Sequence, residues 1–501
     1  MNNIKKLTII VIAIVFAISS EHNSIVAQHR IQLDLQRTIE MASDSSLQAF
    51  RAQYLYMSGY WEYRSFRAGR LPSLSLNLTP ASYNRYITQR YNYEENIDVY
   101  RGQQMYSAAG SIGLTQNFDP LGGTFYVETS LSYIRNFGDV KSTQYSTVPL
   151  RIGYRQNLLG FNSFRWERRI EPVKFEKVKK EFLYNMENVS EMAVNYFFTL
   201  ALAQAEYKLA VENLISADTL YIIGERRYNI ASISQADLLT LKLDKVNAEN
   251  TLKNSGITLK RAMFQLASFL GMDKNTEVEV ALPAAPLATE IDIDMALTYA
   301  KANNPTLLEH KQSILESQRE VARTKIEQRI QANINASVGF NQVAPHLSTA
   351  YRDPMRQDIV SVTLTIPLVD WGVRKGKVNM AKNSLSLAEI AAEQDEISIE
   401  EDILMTVSDF NSQQQLICSA IEALELAETA YSQMRQRFII GKADINSLTL
   451  SKNRLQDANK NYIMALQNYW QNYYKLRKLT LFDFERGHEL SSIFDLEHGL
   501  K

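Results

Sequence analysis

The residues that could carry covalent or metal chemistry are few and poorly placed for it. The six histidines, His22, His29, His310, His346, His488 and His498, are scattered without metal-ligand spacing. No phosphate loop and no nucleophile motif occurs. The single cysteine, Cys418, lies beside Ile417 on a helical stripe and reads as a small buried residue; it can form no disulfide within the chain. The formal net charge is -1, with acidic and basic residues interspersed, so the basic face that nucleic acid demands is missing. Neither an enzyme nor a cofactor is implied. The functions left open need no covalent chemistry, an adaptor, a scaffold and a pore among them; the work of a pore is shape, wetting and electrostatics.

The elements that would build one can be read in order. Lys5 and Lys6 precede an apolar stretch from Leu7 to Ile18, and a cleavage after Ala27 makes 1–27 a secretory signal. That stretch is too short to span a bilayer, and no later run of about 18 uncharged apolar residues exists. No cysteine follows the signal to accept a lipid. A membrane-spanning form must therefore cross with β-strands, since only helices and closed barrels satisfy every backbone group in lipid.

The chain says the same thing twice. LDLQRTIEMASDSSLQAF, from Leu33, reads like IDIDMALTYAKANNPTLL, from Ile291, and RRYNIASISQADLL, from Arg226, like QRFIIGKADINSLTL, from Gln436. The offsets are about 258 and about 210, so the first repeat holds an insertion of about 48 residues. The first repeat is expected over 28–275, a linker over 276–290, the second repeat over 291–482 and a C-terminal tail over 483–501. Each repeat orders helix, strands, very long helix, turn and return helix. The spans are 34–69, 163–229 and 234–270 in the first, then 292–331, 373–440 and 444–481 in the second. At 1.5 Å per residue a helix of about 67 residues is roughly 100 Å long, and two of about 37 stacked end to end nearly match it. Ile403, Val407, Phe410, Ile417, Ile421, Leu424 and Ala427 recur at coiled-coil steps, as do Met192, Tyr196, Leu200, Ala203 and Tyr207. Pro172 is expected to kink the first long helix or to mark where its regular part begins.

Between the helices the sequence alternates. Leu74, Leu76 and Leu78 interleave with Ser73, Ser75 and Asn77, and Val360, Val362 and Leu364 with Ser361, Thr363 and Thr365. Strands are expected near 73–79, 108–118, 124–136, 147–157, 333–341 and 358–368. A polar, tyrosine-rich loop (81–107), a tight turn (119–123) and another loop (138–146) join the first four. Period-two segments joined by long, short and long connections fit a membrane barrel with six strands per protomer. A half-buried soluble sheet shares the pattern, and the extra hairpin of the first repeat could instead decorate the barrel without joining it.

With RYNIASISQADLL, RFIIGKADINSL and NNPTLLEH in these places, the chain resembles the TolC-like outer membrane efflux family over roughly 30–482. The resemblance implies a mainly α fold with membrane β: a tandem-repeat protomer of a trimeric outer-membrane β-barrel, continued by a long periplasmic α-barrel. It also implies a homotrimer, with a periplasmic adaptor and an inner-membrane pump as partners and outer-membrane lipid around the strands. Tip turns that dock the adaptor would be Ile230, Ala231 and Ser232, and Ile440, Gly441 and Lys442. Ala231 replaces the family's usual glycine, so a positive φ there would be strained. Carried onto this sequence, the pore constriction falls on Asp237, Phe438 and Ser447, with Asp444 nearby. Phe438 stands where the family has a tyrosine, Ala443 where it has an arginine, and Ser447 and Leu450 where paired aspartates ring the pore. A cation-selective double ring is thus not supported, and Asp237 equally suits a helix N-terminal carboxylate. The implied function is passive export as the channel of a tripartite efflux system. The duct of a type I protein secretion system and a non-channel coiled-coil envelope scaffold are the alternatives.

Overall fold

A computed structural model describes residues 30–137, 141–273, 276–286 and 289–492. The signal segment 1–27 and residues 493–501 of the tail lie outside the described residues. Two compact units result: Gln53–Phe182 with Lys301–Asp402, and the residues up to Ala52 with Leu183–Ala300 and from Ile403 onward.

The elements run β1 (Arg30–Leu33), α1 (Leu35–Ser45), α2 (Leu47–Ala68), β2 (Ser73–Asn92), β3 (Ile97–Phe118), β4 (Gly123–Asn136), β5 (Ser142–Asn157), α3 (Ser163–Asn229) and α4 (Gln235–Phe269). They continue with β6 (Glu277–Val280), α5 (Ile293–Asn303), α6 (Pro305–Glu327), β7 (Gln331–Ala344), β8 (Met355–Thr365), α7 (Val373–Ile439), α8 (Ile445–Thr480), β9 (Phe482–Asp483) and β10 (His488–Glu489). The chain is helix-rich with one large sheet. Each opening helix, expected as continuous, is broken. Ser46 is extended (φ -73°, ψ 146°), ending α1, and its hydroxyl accepts from Ala49 N–H at 3.1 Å to start α2. Pro305 forbids a helical conformation at Asn304, whose side chain accepts from Thr306 N–H at 2.9 Å to start α6. Pro172 lies inside α3, which continues on both sides of it. Cys418 is exposed, not buried: it stands next to the buried Ile417 on α7 and falls off the stripe.

In the sheet-bearing unit the order is β2-β3-β4-β5-β7-β8, every pair antiparallel. The junctions with α2, α3, α6 and α7 and the 119–122 turn all fall at one end of the sheet. Registers place Leu74, Leu114, Val127, Ile152, Val338 and Asp358 in one transverse row. One step along, Ser75, Gly113, Glu128, Arg151, Gly339 and Gln357 form the next row, on the opposite face. Leu74, Leu76, Leu78, Ile112, Leu114, Ile152, Val338, Val360, Val362 and Leu364 are all exposed, so this largely apolar face is uncovered; Arg356 and Asp358 of the edge strand β8 also lie on it, paired with each other at 3.0 Å. Aromatic rows bound it. Near the helix-bearing end are Phe118, Phe125 and Tyr154, with ring centroids 5.9 and 4.6 Å apart. Toward the other end Tyr106, Tyr133 and Tyr145 follow at 6.2 and 5.3 Å, with Tyr83 opposite Tyr106.

The segment 81–107, expected as a loop, is mostly strand. β2 and β3 stay paired up to Asn92–Ile97, eight rungs past Met105–Asn136, where β4 drops away. With water on both faces this ribbon needs no apolar alternation, and tyrosine, threonine and isoleucine supply β-propensity instead. Helices of this unit approach closely. A Cβ on Gly59 of α2 would sit 2.6 Å from Val178 of α3, and Tyr63 stacks on Phe175 at 4.4 Å.

In the other unit Phe197, Phe198 and Leu200 of α3, Phe410 of α7 and Leu466, Tyr469 and Tyr473 of α8 form the core. A parallel β1–β6 pair lies against it; Gln204 donates to Val278 C=O at 3.1 Å and accepts from Val280 N–H at 3.2 Å.

Candidate functional site at the helical turns

Two helix-to-helix turns, both in that second unit, hold or closely flank the tip and constriction candidates Ile230, Ala231, Ser232, Asp237, Phe438, Ile440, Gly441, Lys442, Asp444 and Ser447. α3 ends on Ala231 at φ +55° and α7 on Gly441 at φ +76°. Ser232 N–H donates to Arg227 C=O at 2.8 Å and Ala231 N–H to Tyr228 C=O at 2.8 Å. Lys442 N–H and Gly441 N–H make the same bonds to Arg437 at 2.8 Å and Phe438 at 3.0 Å. Both are Schellman closures, in which a left-handed residue lets the last carbonyls find donors. Glycine adopts that conformation freely; alanine costs roughly 1 kcal/mol.

Two residues later each return helix is capped, and the two caps exchange partners. Ser234 accepts from Asp237 N–H at 3.1 Å, and the Asp237 carboxylate accepts from Ser234 O–H at 2.7 Å and N–H at 3.0 Å. In the second turn the carboxylate comes first: Asp444 accepts from Ser447 N–H at 2.7 Å and O–H at 2.8 Å. Each carboxyl is held below its usual range, Asp237 chiefly by the Ser234 hydroxyl and Asp444 chiefly by Ser447 N–H. Asp237 therefore sits as a helix N-terminal carboxylate, and Ser447 is engaged with Asp444.

Asp237, Phe438 and Asp444 line one cavity of about 390 Å³, together with Gly224, Arg227, Leu241 and Ala443; Ser447 is not among its lining residues. Phe438 is buried, and the Arg227 guanidinium lies 5.8 Å from its ring centroid. Gly224 makes room for Leu241, since a Cβ there would stand 2.2 Å from that side chain. Ile230 and Ile440 instead project into solvent at the tips, 75% and 64% exposed, flanked by the exposed Ala231, Ser232, Gly441 and Lys442. Sequence reading missed Arg227 and Gly224. The only signal for the former was that an arginine precedes the aromatic in both repeats, Arg227–Tyr228 and Arg437–Phe438.

Residues 296–480 match the family model described as outer membrane efflux protein. Three solved structures resemble the fold. The outer-membrane channel OprN does so at TM-score 0.64 and 14% identity, with 89% of both chains covered. The outer membrane protein VceC of Vibrio cholerae scores 0.63 at 14% identity over 89% of this chain and 95% of that one. The CmeC outer membrane channel of Campylobacter jejuni scores 0.64 at 13% over 93% and 88%. Residues 296–480 carry outer membrane efflux protein sequence, and the chain as a whole has a TolC-like fold. No curated protein matches it. The matched family model describes outer membrane efflux proteins, and the structural neighbours OprN and CmeC are outer-membrane channels.

Ala231 makes the first turn of this TolC-like chain the more strained. Ala231→Gly should stabilise it by about 0.5–1 kcal/mol, relief of the left-handed strain outweighing glycine's extra unfolded-state entropy. Hydrogen exchange at Ala231 and Ser232 should slow in the variant; unchanged or faster exchange would show that the turn stores no strain.

Proposed function

We propose that three copies of this chain close one β-barrel in the outer membrane and act as the exit duct of an efflux system. Substrate would be handed over by an inner-membrane pump through a periplasmic adaptor docked at the tip turns. The observation that carries this reading is the two-faced sheet. Its uncovered apolar face between two aromatic rows is what lipid requires, and its other face is polar. From Phe125 to Tyr133 is eight residues along β4 and from Phe118 to Tyr106 twelve along β3. At about 3.4 Å per residue and a tilt of about 40°, those are heights of about 21 and 31 Å, bracketing the ~25 Å apolar band of such barrels.

The extra hairpin carries part of both the apolar face and the tyrosine row, which supports placing all six strands in the wall. The edge strands β2 and β8 have no strand partner on their outer sides among the described residues. They run in opposite directions, so β2 of one copy beside β8 of the next continues the antiparallel alternation. Three copies would give eighteen strands, enough to leave an aqueous channel. A second stripe on α7, Met380, Leu387, Ile390, Ile397 and Leu404, recurs at coiled-coil steps and is exposed, as a seam awaiting a neighbouring copy would be.

Detergent extraction of outer membranes should yield a trimer, and Leu387→Glu with Ile390→Glu should reduce it to monomers. Wild-type protein recovered as a monomer in the soluble periplasmic fraction would sink the proposal.

A further inference from the structure

The polar face of the sheet holds a charge arrangement that neither the fold nor the tip site explains. Arg151 of β5 donates to Glu128 of β4 at 2.8 Å and, in the other direction, to Gln357 of β8 at 2.7 Å. Gln357 is two strands away, so the guanidinium must cross β7. The residue it crosses is Gly339, which stands between Arg151 and Gln357 in the row. A Cβ on Gly339 would lie 2.6 Å from Leu150 C=O and 2.8 Å from Arg151 Cα, so the backbones are pressed together where the side chain passes. On the far side of Glu128 the row continues with Gly113 and Ser75, which are small. The clasp thus lies flat along four strands drawn from both halves of the chain.

Between the aromatic rows the described residues of this face are mainly serine, threonine, asparagine and glycine. The charged ones are Glu128, Arg151 and Arg155, and Arg155 is held 5.1 Å from the Tyr126 ring centroid. We propose that Arg151 and Glu128 form a mutually neutralising ring on the inner wall of the barrel, which keeps that level of the lumen from sorting cargo by charge. This rests on the barrel reading above, because only there does the polar face become a lumen. Its consequence is a substrate class: cations, anions and neutral polar molecules would pass this ring alike, and discrimination would belong to other parts of the pathway, the Arg155 cation of each copy on the same face among them.

Two near-isosteric substitutions separate charge from structure. Arg151→Gln leaves Glu128 unpaired and should shift the permeability ratio toward cations. Glu128→Gln leaves Arg151 unpaired and should shift it toward anions. Three unit charges about 15 Å from an ion in water give an interaction of about 0.8 kcal/mol before screening, so each shift should be about threefold. The measurement is the reversal potential of purified protein in planar lipid bilayers under a potassium chloride gradient, using wild type and both variants. Opposite shifts of the two variants support the proposal. Channels that open but keep the wild-type reversal potential, or shift in the same direction, overturn it while leaving the barrel standing. Wild-type protein that inserts without conducting overturns the barrel reading, and the neutral ring falls with it.

Discussion

Arg477→Met should destabilise the helical unit around α8 by about 3–5 kcal/mol at neutral pH, because it leaves buried carboxylates without their cation. Arg477 donates to Glu187 of α3 at 2.9 Å and to Asp483 of β9 at 3.1 Å, and it lies over the Tyr473 and Tyr474 rings. Its side chain is 16% exposed, with Glu187 at 11% and Asp483 at 4%, so solvent screens the pairs little. The two carboxyls nevertheless respond in opposite senses. Burial pushes Glu187 up, and Arg477 offsets only part of that; one Glu187 oxygen has no hydrogen-bond partner. Burial also pushes Asp483 up, but Arg477, Arg486 N–H, the Tyr473 hydroxyl and Glu485 N–H outweigh it and hold the group below its ordinary value. In the native protein Asp483 thus contributes stability that is present above the ordinary carboxylate range and lost as pH falls through its depressed pKa. Glu187 has the reverse sign: its contribution is present below that range and lost as pH rises through its raised pKa.

Removing the cation raises both pKa values, so the damage in Arg477→Met should be largest at pH 7 and shrink as pH falls to about 4 and the carboxyls protonate. Hydrogen exchange of the α8 amides at the two pH values measures it. A cost below about 1 kcal/mol at pH 7 would mean that the cluster is no firmer than an exposed ion pair. Arg477→Lys should rescue only partly, since one ammonium cannot reproduce the guanidinium fork.

None of this cluster was visible in the sequence, and the reason is physical. Glu187 and Arg477 are 290 residues apart and meet only through packing of α3 on α8. Heptad stripes, by contrast, are local, so Ile403, Val407 and Phe410 announce the buried side of α7 before any partner is known. The breaks at Ser46 and Asn304 were legible in principle, since Asn304–Pro305 is a turn and cap signal, but amphipathic continuity across them masked it. The β2–β3 ribbon was missed because its residues beyond Met105 are wet on both faces, where period two carries no information. At the tips, the duplicated phrases located both turns, and the alanine at 231 flagged strain. What sequence left open at Asp237 was whether its carboxylate faces a pore or serves its own helix. Serine three residues before it settles the hydrogen bonds, which go to Ser234.

Gly441→Val should lower export at least tenfold while leaving trimers intact. A Cβ at Gly441 would meet nothing nearer than Arg227 at 3.8 Å, so space is not the obstacle; φ of +76° is. Valine, branched at Cβ, is a genuine outlier in that region, and even an unbranched residue pays roughly 1–2 kcal/mol there. To escape, the turn must give up the Lys442-to-Arg437 and Gly441-to-Phe438 hydrogen bonds and re-aim Ile440, the exposed residue at its apex. A cost of about 1.4 kcal/mol lowers the weight of the native turn tenfold, and the apparent affinity of the adaptor proposed above would fall by the same factor. Gly441→Ala is the graded control, because Ala231 occupies the equivalent position with φ at +55° and its turn still closes; at a cost of about 1 kcal/mol alanine should lower export about fivefold, less than valine. The residues of the proposed seam on α7, Met380 to Leu404, lie at least 37 positions earlier in the chain, so trimer yield in detergent should not change. Dye efflux from cells, read beside trimer yield for glycine, alanine and valine, decides it. Full export with valine would detach the tip turns from docking, and lost trimers would assign Gly441 to assembly instead.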